Sequence, residues 1–256
     1  MADLRPLPGA ALFGTVSVGL SSLKAIAGIP YMCGRFNVID SPGLQQLLQD
    51  LGIGLKLPQA ANVAPTEHIH MVWDIGGERQ AGLARWWLTP SWAKAVDQKY
   101  AMFNARSETL ASSRAFRHPF KSQRGIVPMS SFIEWRQEGG VKQPWKITNE
   151  QEALAIAALW DVWQGEGESL LSCTLVTTAA APDFEPWHRR MPVMLSADEC
   201  NRWLDCSHQI EAGDPLFRSE LKYPLRLQAL PRAIGNARNK DPALLEGVGA
   251  EVILAG

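Results

Sequence analysis

The chain has 256 residues, of which 46% are hydrophobic and 20% charged, and its net charge at pH 7 is −1. This composition is typical of a globular protein with a sizeable core, and it excludes a low-complexity chain and a polycation that coats nucleic acid along its whole surface. No apolar run reaches the length that a membrane span needs, so no membrane partner is expected.

Residues 1–32 form a poor secretory signal, because Asp3 cancels the charge of Arg5 and glycines and serines interrupt the apolar middle. Residues 33–256, by contrast, read as a complete domain that directly follows Met32. We therefore interpret residues 1–32 as a leader, or as the result of a start codon assigned too early, and expect them to be absent from the mature protein.

The first predicted element of the domain is a helix over residues 41–52, since Ser41 can cap it and leucines recur on one face. A strand is predicted over residues 81–88. Residues 107–120 begin in a helical pattern that is expected to stop before Pro119.

The second half of the domain contains predicted strands in hairpins. Residues 125–136 and 142–148 form one pair around a Gly-Gly turn, and residues 153–160 and 170–178 form another. Since the strands come as hairpins and do not alternate strictly with helices, we expect an α+β fold. It would be a single domain with a curved, mostly antiparallel, barrel-like sheet flanked by helices.

The last predicted helix covers residues 196–204, where Ser196 followed by Glu199 forms a capping-box signature. The tail after Gly247 is expected to be loosely held. No segment of residues 33–256 has the character of a linker that would divide the domain.

Cysteine usage indicates a cytoplasmic protein with reduced thiols. The spacing matches no zinc-binding pattern, so we expect no metal and no other cofactor. The four cysteines are Cys33, Cys173, Cys200 and Cys206.

Cys33 follows Met32 directly, and a chain processed to begin at this cysteine would carry an α-amine and a thiol on adjacent carbons. The amine, with a pKa of roughly 7.7–8.0, can condense with an aldehyde to an imine. The thiol, the most nucleophilic side chain, can then close on that carbon to a five-membered thiazolidine. A buried small hydrophobe is the commoner role of a lone cysteine, and sequence position alone does not decide between the two.

Six short motifs in one order resemble the SOS response-associated peptidase family, also called abasic-site processing proteins. They are "MCGRF" (32–36), "NVAPT" (62–66), "WWLTPSW" (86–92), "NARSET" (104–109), "SFIEW" (131–135) and "HRRMPVML" (188–195). The resemblance runs from Met32 to about Pro242. It implies a DNA damage response protein that binds single-stranded DNA and links its N-terminal cysteine covalently, as a thiazolidine, to the sugar aldehyde of an abasic site.

The resemblance also implies site residues, matched position by position. The catalytic positions are Cys33, Asn104, Glu134 and His188. The DNA-binding positions are Arg35, Trp86, Arg106 and Arg190. Trp86 is the first choice among ten tryptophans, most of which are expected in the core.

The chemistry of these residue types agrees with such roles. Imine formation expels water, and Glu134 lies in an apolar run where desolvation would raise its pKa and let it supply the proton. His188 can move a proton at the sugar oxygen, and the neutral amide of Asn104 can orient the α-amine. Each also has an ordinary alternative, namely a solvent-facing glutamate, a surface histidine and a turn asparagine.

Residues 94–124 carry seven basic residues and two acidic ones. Such a run can neutralise phosphates, or it can be a solvated helix face.

Three functions stay open on sequence grounds. The first is abasic-site crosslinking with an accompanying lyase activity, since the imine also permits β-elimination. The second is a cysteine-type autopeptidase that exposes Cys33 by removing the leader, and the third is a noncatalytic single-stranded DNA binding protein. We expect a cytoplasmic monomer that is nucleoid-associated when bound to DNA.

Overall fold

Strands dominate the part of the chain that the computed structural model describes, residues 34–256. The strands are β1 Phe36–Val38, β2 Ala60–Val63, β3 His68–Ile75, β4 Glu78–Trp86, β5 Asn104–Arg106, β6 Arg124–Met129, β7 Ser131–Glu138, β8 Val141–Thr148, β9 Leu154–Gln164, β10 Ser169–Ala179, β11 Arg190–Pro192, β12 Met194–Leu195, β13 Leu225–Ala229 and β14 Glu251–Leu254. The α-helices are α1 Pro42–Asp50, α2 Arg117–Ser122 and α3 Ala197–Leu204. Cys33 and the predicted leader lie outside the described residues.

Five strands close into a ring, because β10 pairs with β4 on one side and with β9 on the other, and β4, β3, β6 and β9 pair in turn. Every neighbouring pair in this ring is antiparallel except β10 with β4. A second, antiparallel sheet has the strand order β14-β13-β8-β7-β1-β2. The α+β prediction with a curved, barrel-like and mostly antiparallel sheet is confirmed.

The core fills the ring and the space between the two sheets. In β9 every residue from Leu154 to Asp161 is buried, because the ring interior covers one face while α1 and α2 pack against the strand from outside. The sheets meet where Phe36 of β1 packs edge-on against Trp86 of β4, with 5.2 Å between ring centroids. No helix among residues 34–256 has the length and apolar character to cross a membrane.

The two capped helices were predicted correctly. Ser41 Oγ accepts a hydrogen bond from the N–H of Leu44 at the start of α1. In α3 the Ser196 hydroxyl accepts from Glu199 N–H while the Glu199 carboxylate accepts from Ser196 N–H, so both halves of the capping box form. Such signals lie within one helical turn and therefore survive without knowledge of the rest of the fold.

The predicted helix over 107–120 is wrong. The structure has a short 3₁₀ turn at Ser107–Thr109, and the later α2 contains Pro119 at its third position. A proline is tolerated there because the N–H groups of the first helical turn have no partner inside the helix.

One strand prediction and the prediction of a loosely held tail need correction. The predicted strand 125–136 is two strands in different sheets, separated at Ser130, whose hydroxyl donates to the carbonyl of Asn37. The tail after Gly247 is held, since β14 pairs with β13. The predicted hairpin of β7 and β8 is confirmed, and Gly139 and Gly140 in its turn have φ of 54° and 84°, which glycine adopts without strain.

Candidate active site

The site begins where β1 runs antiparallel to β7. Ile133 N–H donates to Arg35 O at 3.0 Å. Gly34 and Glu134 are the next residues along the two segments beyond this hydrogen bond. Gly34 is the first described residue, and Cys33, its neighbour along the chain, lies outside the described range. Glu134 is thus the β7 residue beside the beginning of the described chain.

Glu134 is 2% exposed although it carries a carboxyl group. Alternate residues of a strand share one face, so Phe132 and Arg136 flank it on the same face of β7. Phe184 packs against Phe132 with 6.2 Å between centroids, and Trp187 lies 4.9 Å from the guanidinium carbon of Arg136. The turn that carries Phe184 and Trp187 therefore runs along the face of β7 that holds Glu134.

This turn also delivers His188. Trp187, its neighbour, packs edge-on against Trp145 with 5.8 Å between centroids, and Trp145 is the β8 residue paired directly with Glu134. Across the face of β7, the turn packs on both sides of the buried carboxyl. The structure thus brings the segment carrying His188 to the strand pair that carries Glu134.

The imidazole of His188 is held by its own neighbour. Nδ1 accepts the N–H of Arg190 at 3.0 Å and lies 3.2 Å from the Arg190 carbonyl oxygen. Because the N–H contact is the shorter, we assign the lone pair to Nδ1 and the ring proton to Nε2. Nε2 is buried and has no hydrogen-bond partner within residues 34–256.

Burial lowers the pKa of His188 below its ordinary value, and the positive charges of Arg190 and Arg189 act in the same direction, against the raising effect of the hydrogen bond with the Arg190 backbone. The ring is therefore neutral near pH 7. In the assigned tautomer the ring can donate one hydrogen bond from Nε2 to an oxygen atom of a bound ligand, without first losing a proton.

Asn104 and Arg106 lie on β5, which runs parallel to β10 and pairs Arg106 with Thr177. The two residues share one face of β5, while Ala105 between them is fully buried. Asn104 is half-buried and Arg106 is exposed. The side chain of Arg190 binds the same Thr177, so β10 connects both segments.

The guanidinium of Arg190 is fully engaged on two edges. It forms a two-pronged ion pair with the Glu108 carboxylate at 2.9 and 3.0 Å. It also donates to the backbone oxygen of Thr177 at 2.7 Å and to the Thr177 hydroxyl at 3.2 Å. The predicted DNA contact of Arg190 stays a prediction.

Arg35 lies beside the same strand pair. Its guanidinium donates to Gly34 O at 2.8 Å and lies 5.9 Å from the ring of Trp135. Burial lowers the pKa of Arg35, against the raising effect of the Glu67 carboxylate. A half-buried cation at this position leaves positive charge next to the start of the described chain.

The prediction that Trp86 contacts DNA is wrong for this structure. Trp86 is 0% exposed, its ring packs between Phe36 and Phe103, and its indole N–H donates to Phe103 O. Trp92, which sequence reasoning ranked below Trp86, is 51% exposed, with the guanidinium carbon of Arg114 at 4.1 Å above its ring. It lies in the same motif, so motif position found the segment but not the exposed ring.

The basic run over residues 94–124 is not uniform. Arg124 is 1% exposed and donates to four backbone carbonyls, so it cannot serve as a phosphate ligand. Lys94, Lys99 and Arg117 are exposed. Glu108, one of the two acids of the run, is paired with Arg190, a partnership 82 residues apart that no local pattern indicates.

Comparison with known proteins gives a consistent result. Residues 32–237 match the family model described as SOS response associated peptidase (SRAP). The chain is 32% identical over 228 residues to the abasic site processing protein YoqW of Bacillus subtilis (strain 168), covering 84% of this chain and 99% of that protein. It is 33% identical over 177 residues to the abasic site processing protein HMCES of Gallus gallus, covering 59% and 53%.

Solved structures share the fold. A crystal structure of a Bacteroides thetaiotaomicron protein has a TM-score of 0.69 at 20% identity, covering 84% of this chain and all of that chain. One of a Bordetella bronchiseptica protein has a TM-score of 0.62 at 24% identity, covering 78% and 100%.

Proposed function

The chain belongs to the SOS response associated peptidase family, and from that premise we propose that it is a DNA damage response protein that binds single-stranded DNA and captures abasic sites covalently through Cys33. The relatives named as abasic site processing proteins support the substrate class. The observation that carries the proposal is the buried Glu134, which directly follows Ile133 in β7. The N–H of Ile133 donates to the carbonyl oxygen of Arg35, two residues after Cys33 in the sequence. Cys33 directly precedes Gly34 in the sequence, and its amine and thiol are proposed to react beside the Glu134 carboxyl.

The reaction needs Cys33 with a free α-amine. Its nitrogen attacks the aldehyde carbon C1′ of the ring-opened sugar to give a carbinolamine. The hydroxyl leaves as water with a proton from Glu134, and the nitrogen then returns its proton to the Glu134 carboxylate, which gives a neutral imine. The sulfur then bonds to the same carbon while the thiol proton moves to the nitrogen, so the sum is a thiazolidine and one water.

The other two catalytic roles follow from the chemistry of the groups. His188, neutral and carrying its proton on Nε2, donates to the sugar oxygen as the ring opens. Asn104 orients the α-amine. The raised pKa expected for Glu134 stays a prediction, for which the pH dependence of the crosslinking rate is the measurement.

The DNA strand would cross the exposed side of β5. Arg106 is exposed, Arg190 is joined to the turn after β5 through Glu108, and Arg35 precedes β1 on the other sheet. Trp92 takes the place of Trp86 as the aromatic candidate for stacking on an unpaired base, since its ring is half exposed.

A lyase reaction competes with thiazolidine formation. The imine acidifies the neighbouring C2′–H. A base that removes this proton expels the 3′ phosphate and cuts the strand by β-elimination. Ring closure by the Cys33 sulfur removes the imine, so Cys33→Ser, which keeps the amine, is expected to lose the stable adduct and to retain some strand cutting.

The test uses protein started at Met32, so that methionine removal exposes Cys33, and single-stranded DNA with one abasic site. We expect an adduct that survives heat and denaturant. It should be lost in Cys33→Ala and kept in Cys206→Ala, the matched control for a thiol elsewhere. Salt-sensitive binding without an adduct would support the noncatalytic DNA-binding alternative and contradict crosslinking.

A peptidase reaction is a second candidate, because Cys33 is two residues in sequence from Arg35, whose carbonyl accepts from Ile133, the neighbour of the buried Glu134. Mass spectrometry of the purified 256-residue chain tests it. Cleavage before Cys33 in the wild type but not in Glu134→Ala would support self-processing. An uncleaved wild-type chain would contradict it.

A further inference from the structure

The Arg190 guanidinium, one of the predicted phosphate ligands, has no free edge. A guanidinium has five N–H donors and two edges that can grip an oxyanion with paired hydrogen bonds. The edge formed by its two terminal nitrogens faces the Glu108 carboxylate, and the edge with Nε faces Thr177. A phosphate that is to be gripped on either edge must first displace one of these two residues.

The two partners differ in how easily they can leave. Thr177 is 2% exposed and lies near the end of β10, where strands on both sides, β5 and β11, pair with it. The Glu108 side chain is 51% exposed and sits on the short 3₁₀ turn after β5. The edge that holds Glu108 is therefore the exchangeable one.

Glu108 also influences a second cation. The positive charges of Arg190 and Arg106 both lower the pKa of Glu108, with the Arg190 hydrogen bond as the stronger of these effects, while burial acts in the opposite direction. The carboxylate is thus ionised at neutral pH, bound to Arg190 and within the electrostatic influence of Arg106. Its negative charge opposes a phosphate at that position.

Building on the proposed function, we propose that Glu108 is a specificity-determining residue whose carboxylate occupies the phosphate position of Arg190 until a DNA strand displaces it. The substitution of one oxyanion for another keeps Arg190 anchored through Thr177, so the main chain that binds His188 Nδ1 stays in place during the exchange. Every DNA strand then binds to the protein more weakly than it would if Glu108 did not compete for Arg190. Intact DNA dissociates, while an abasic strand is retained by its covalent bond.

The test measures binding of the full chain to labelled single-stranded DNA without any abasic site, by fluorescence anisotropy over a salt series. Neither Cys33 nor an aldehyde takes part, so failure of the crosslinking proposal does not affect the result. Glu108→Gln is expected to bind about 2- to 5-fold more tightly at low salt, the upper part of the range for loss of one exposed carboxylate pairing. The slope of log Kd against log salt should change by less than about 0.7, the value for one phosphate contact, because Arg190 contacts phosphate in both bound proteins.

Glu185→Gln is the matched control. It removes the same charge from an exposed position on the turn before His188 and has no described ion-pair partner. We expect its affinity to change less than about twofold, with an unchanged salt slope. Equal gains in both variants would show a general charge effect and overturn the proposal.

A double-mutant cycle identifies the cation involved. In an Arg190→Gln background the gain from Glu108→Gln is expected to disappear, and in an Arg106→Gln background most of it should remain. A gain that persists without Arg190, or a Glu108→Gln protein that melts like wild type yet binds DNA no more tightly, would overturn the exchange.

Discussion

At the contact of β6 with α3 the guanidinium of Arg124 is 1% exposed, and every one of its nitrogens donates to a backbone carbonyl. In the turn beside Glu134, the Nε2 of His188 and the indole N–H of Trp187 are equally buried atoms, yet neither has an acceptor within residues 34–256. The acceptors of Arg124 are the carbonyls of Phe120, Trp203, Asp205 and His208.

The Arg124 guanidinium therefore stabilises the fold, whereas the N–H groups of His188 and Trp187 are available to a ligand. Buried donors in folded proteins nearly always have partners, because desolvation without a hydrogen bond is costly. Arg124 meets this rule inside the chain. His188 and Trp187 do not meet it with described residues, and they lie next to the carboxyl proposed to be catalytic. Substitutions in the two regions should therefore affect different measurements.

The largest effect is expected from Glu134→Gln in the Met32-start protein. The rate of adduct formation with abasic DNA should fall about 10²- to 10⁴-fold, the usual contribution of a general acid. The free energy of unfolding in urea should stay within about 1 kcal/mol of wild type, because the amide is isosteric and uncharged. Glu138→Gln, four residues along the same strand, is the control and should react like wild type. A Glu134→Gln protein that crosslinks at the wild-type rate would break the comparison.

Arg124→Met should show the reverse pattern. Its loss leaves four carbonyls without their charged donor, and we expect the free energy of unfolding to fall by about 3 kcal/mol or more. Well below its melting temperature, the folded variant should crosslink at close to the wild-type rate. Arg226→Met, which removes an exposed ion pair with Glu251, is the control at about 0–1 kcal/mol. A stable Arg124→Met protein with slow chemistry would reverse the assignment of the two regions.

A smaller effect concerns pH. Because the folded-state pKa of His188 is below its ordinary value of 6.5, the unfolded chain takes up a proton first as pH falls. Stability is therefore complete above pH 6.5 and declines as pH falls through 6.5 toward the lowered folded-state pKa. His188→Gln should lose less stability over that window in urea unfolding at several pH values.

His70 acts in the same direction, since burial lowers its pKa as well. The His188→Gln curve should therefore be flatter than wild type without being flat, and His70→Gln should flatten it further. An unchanged pH dependence in His188→Gln would contradict the neutral, buried imidazole.

The smallest expected effect tests how α3 supports the Arg124 region. Ser196→Ala removes the hydroxyl that caps the helix whose last residues supply the carbonyl of Trp203. We expect a loss of about 1 kcal/mol in the free energy of unfolding, and no change in crosslinking. Ser207→Ala, an exposed serine after the helix, should lose less; an equal loss would show that the cap adds nothing particular.

The sequence predicted features whose signals lie within a few residues of one another, and it missed features that depend on residues far apart in the chain. The caps of Ser41 and Ser196 and the turn at Gly139 and Gly140 depend on residues a few positions apart, and all of them form as expected. The break at Ser130 was missed because it is made by Asn37, 93 residues away. Local apolar patterning could not distinguish one long strand from two strands in separate sheets.

For the candidate site, the sequence indicated which residues to consider but not how they are arranged in space. Asn104, Glu134 and His188 were found by their resemblance to family motifs, since each residue alone had an ordinary alternative. Their arrangement could not be read from the chain, because it depends on pairing of β1 with β7 and of β5 with β10. Trp86 shows the limit of motif position: the segment lies beside the site, but the ring faces the interior.

The closed ring has a consequence for synthesis of the protein. β4 meets β10 through Trp86 and Cys173, so one edge of β4 has no partner until about 90 further residues have left the ribosome. At elongation rates of about 5–20 residues per second that delay is roughly 5–20 s, during which an open strand edge is available to other chains. The nascent segment from β3 to β4 is therefore where a chaperone should bind, and slowing translation before β10 should lower the yield of native protein.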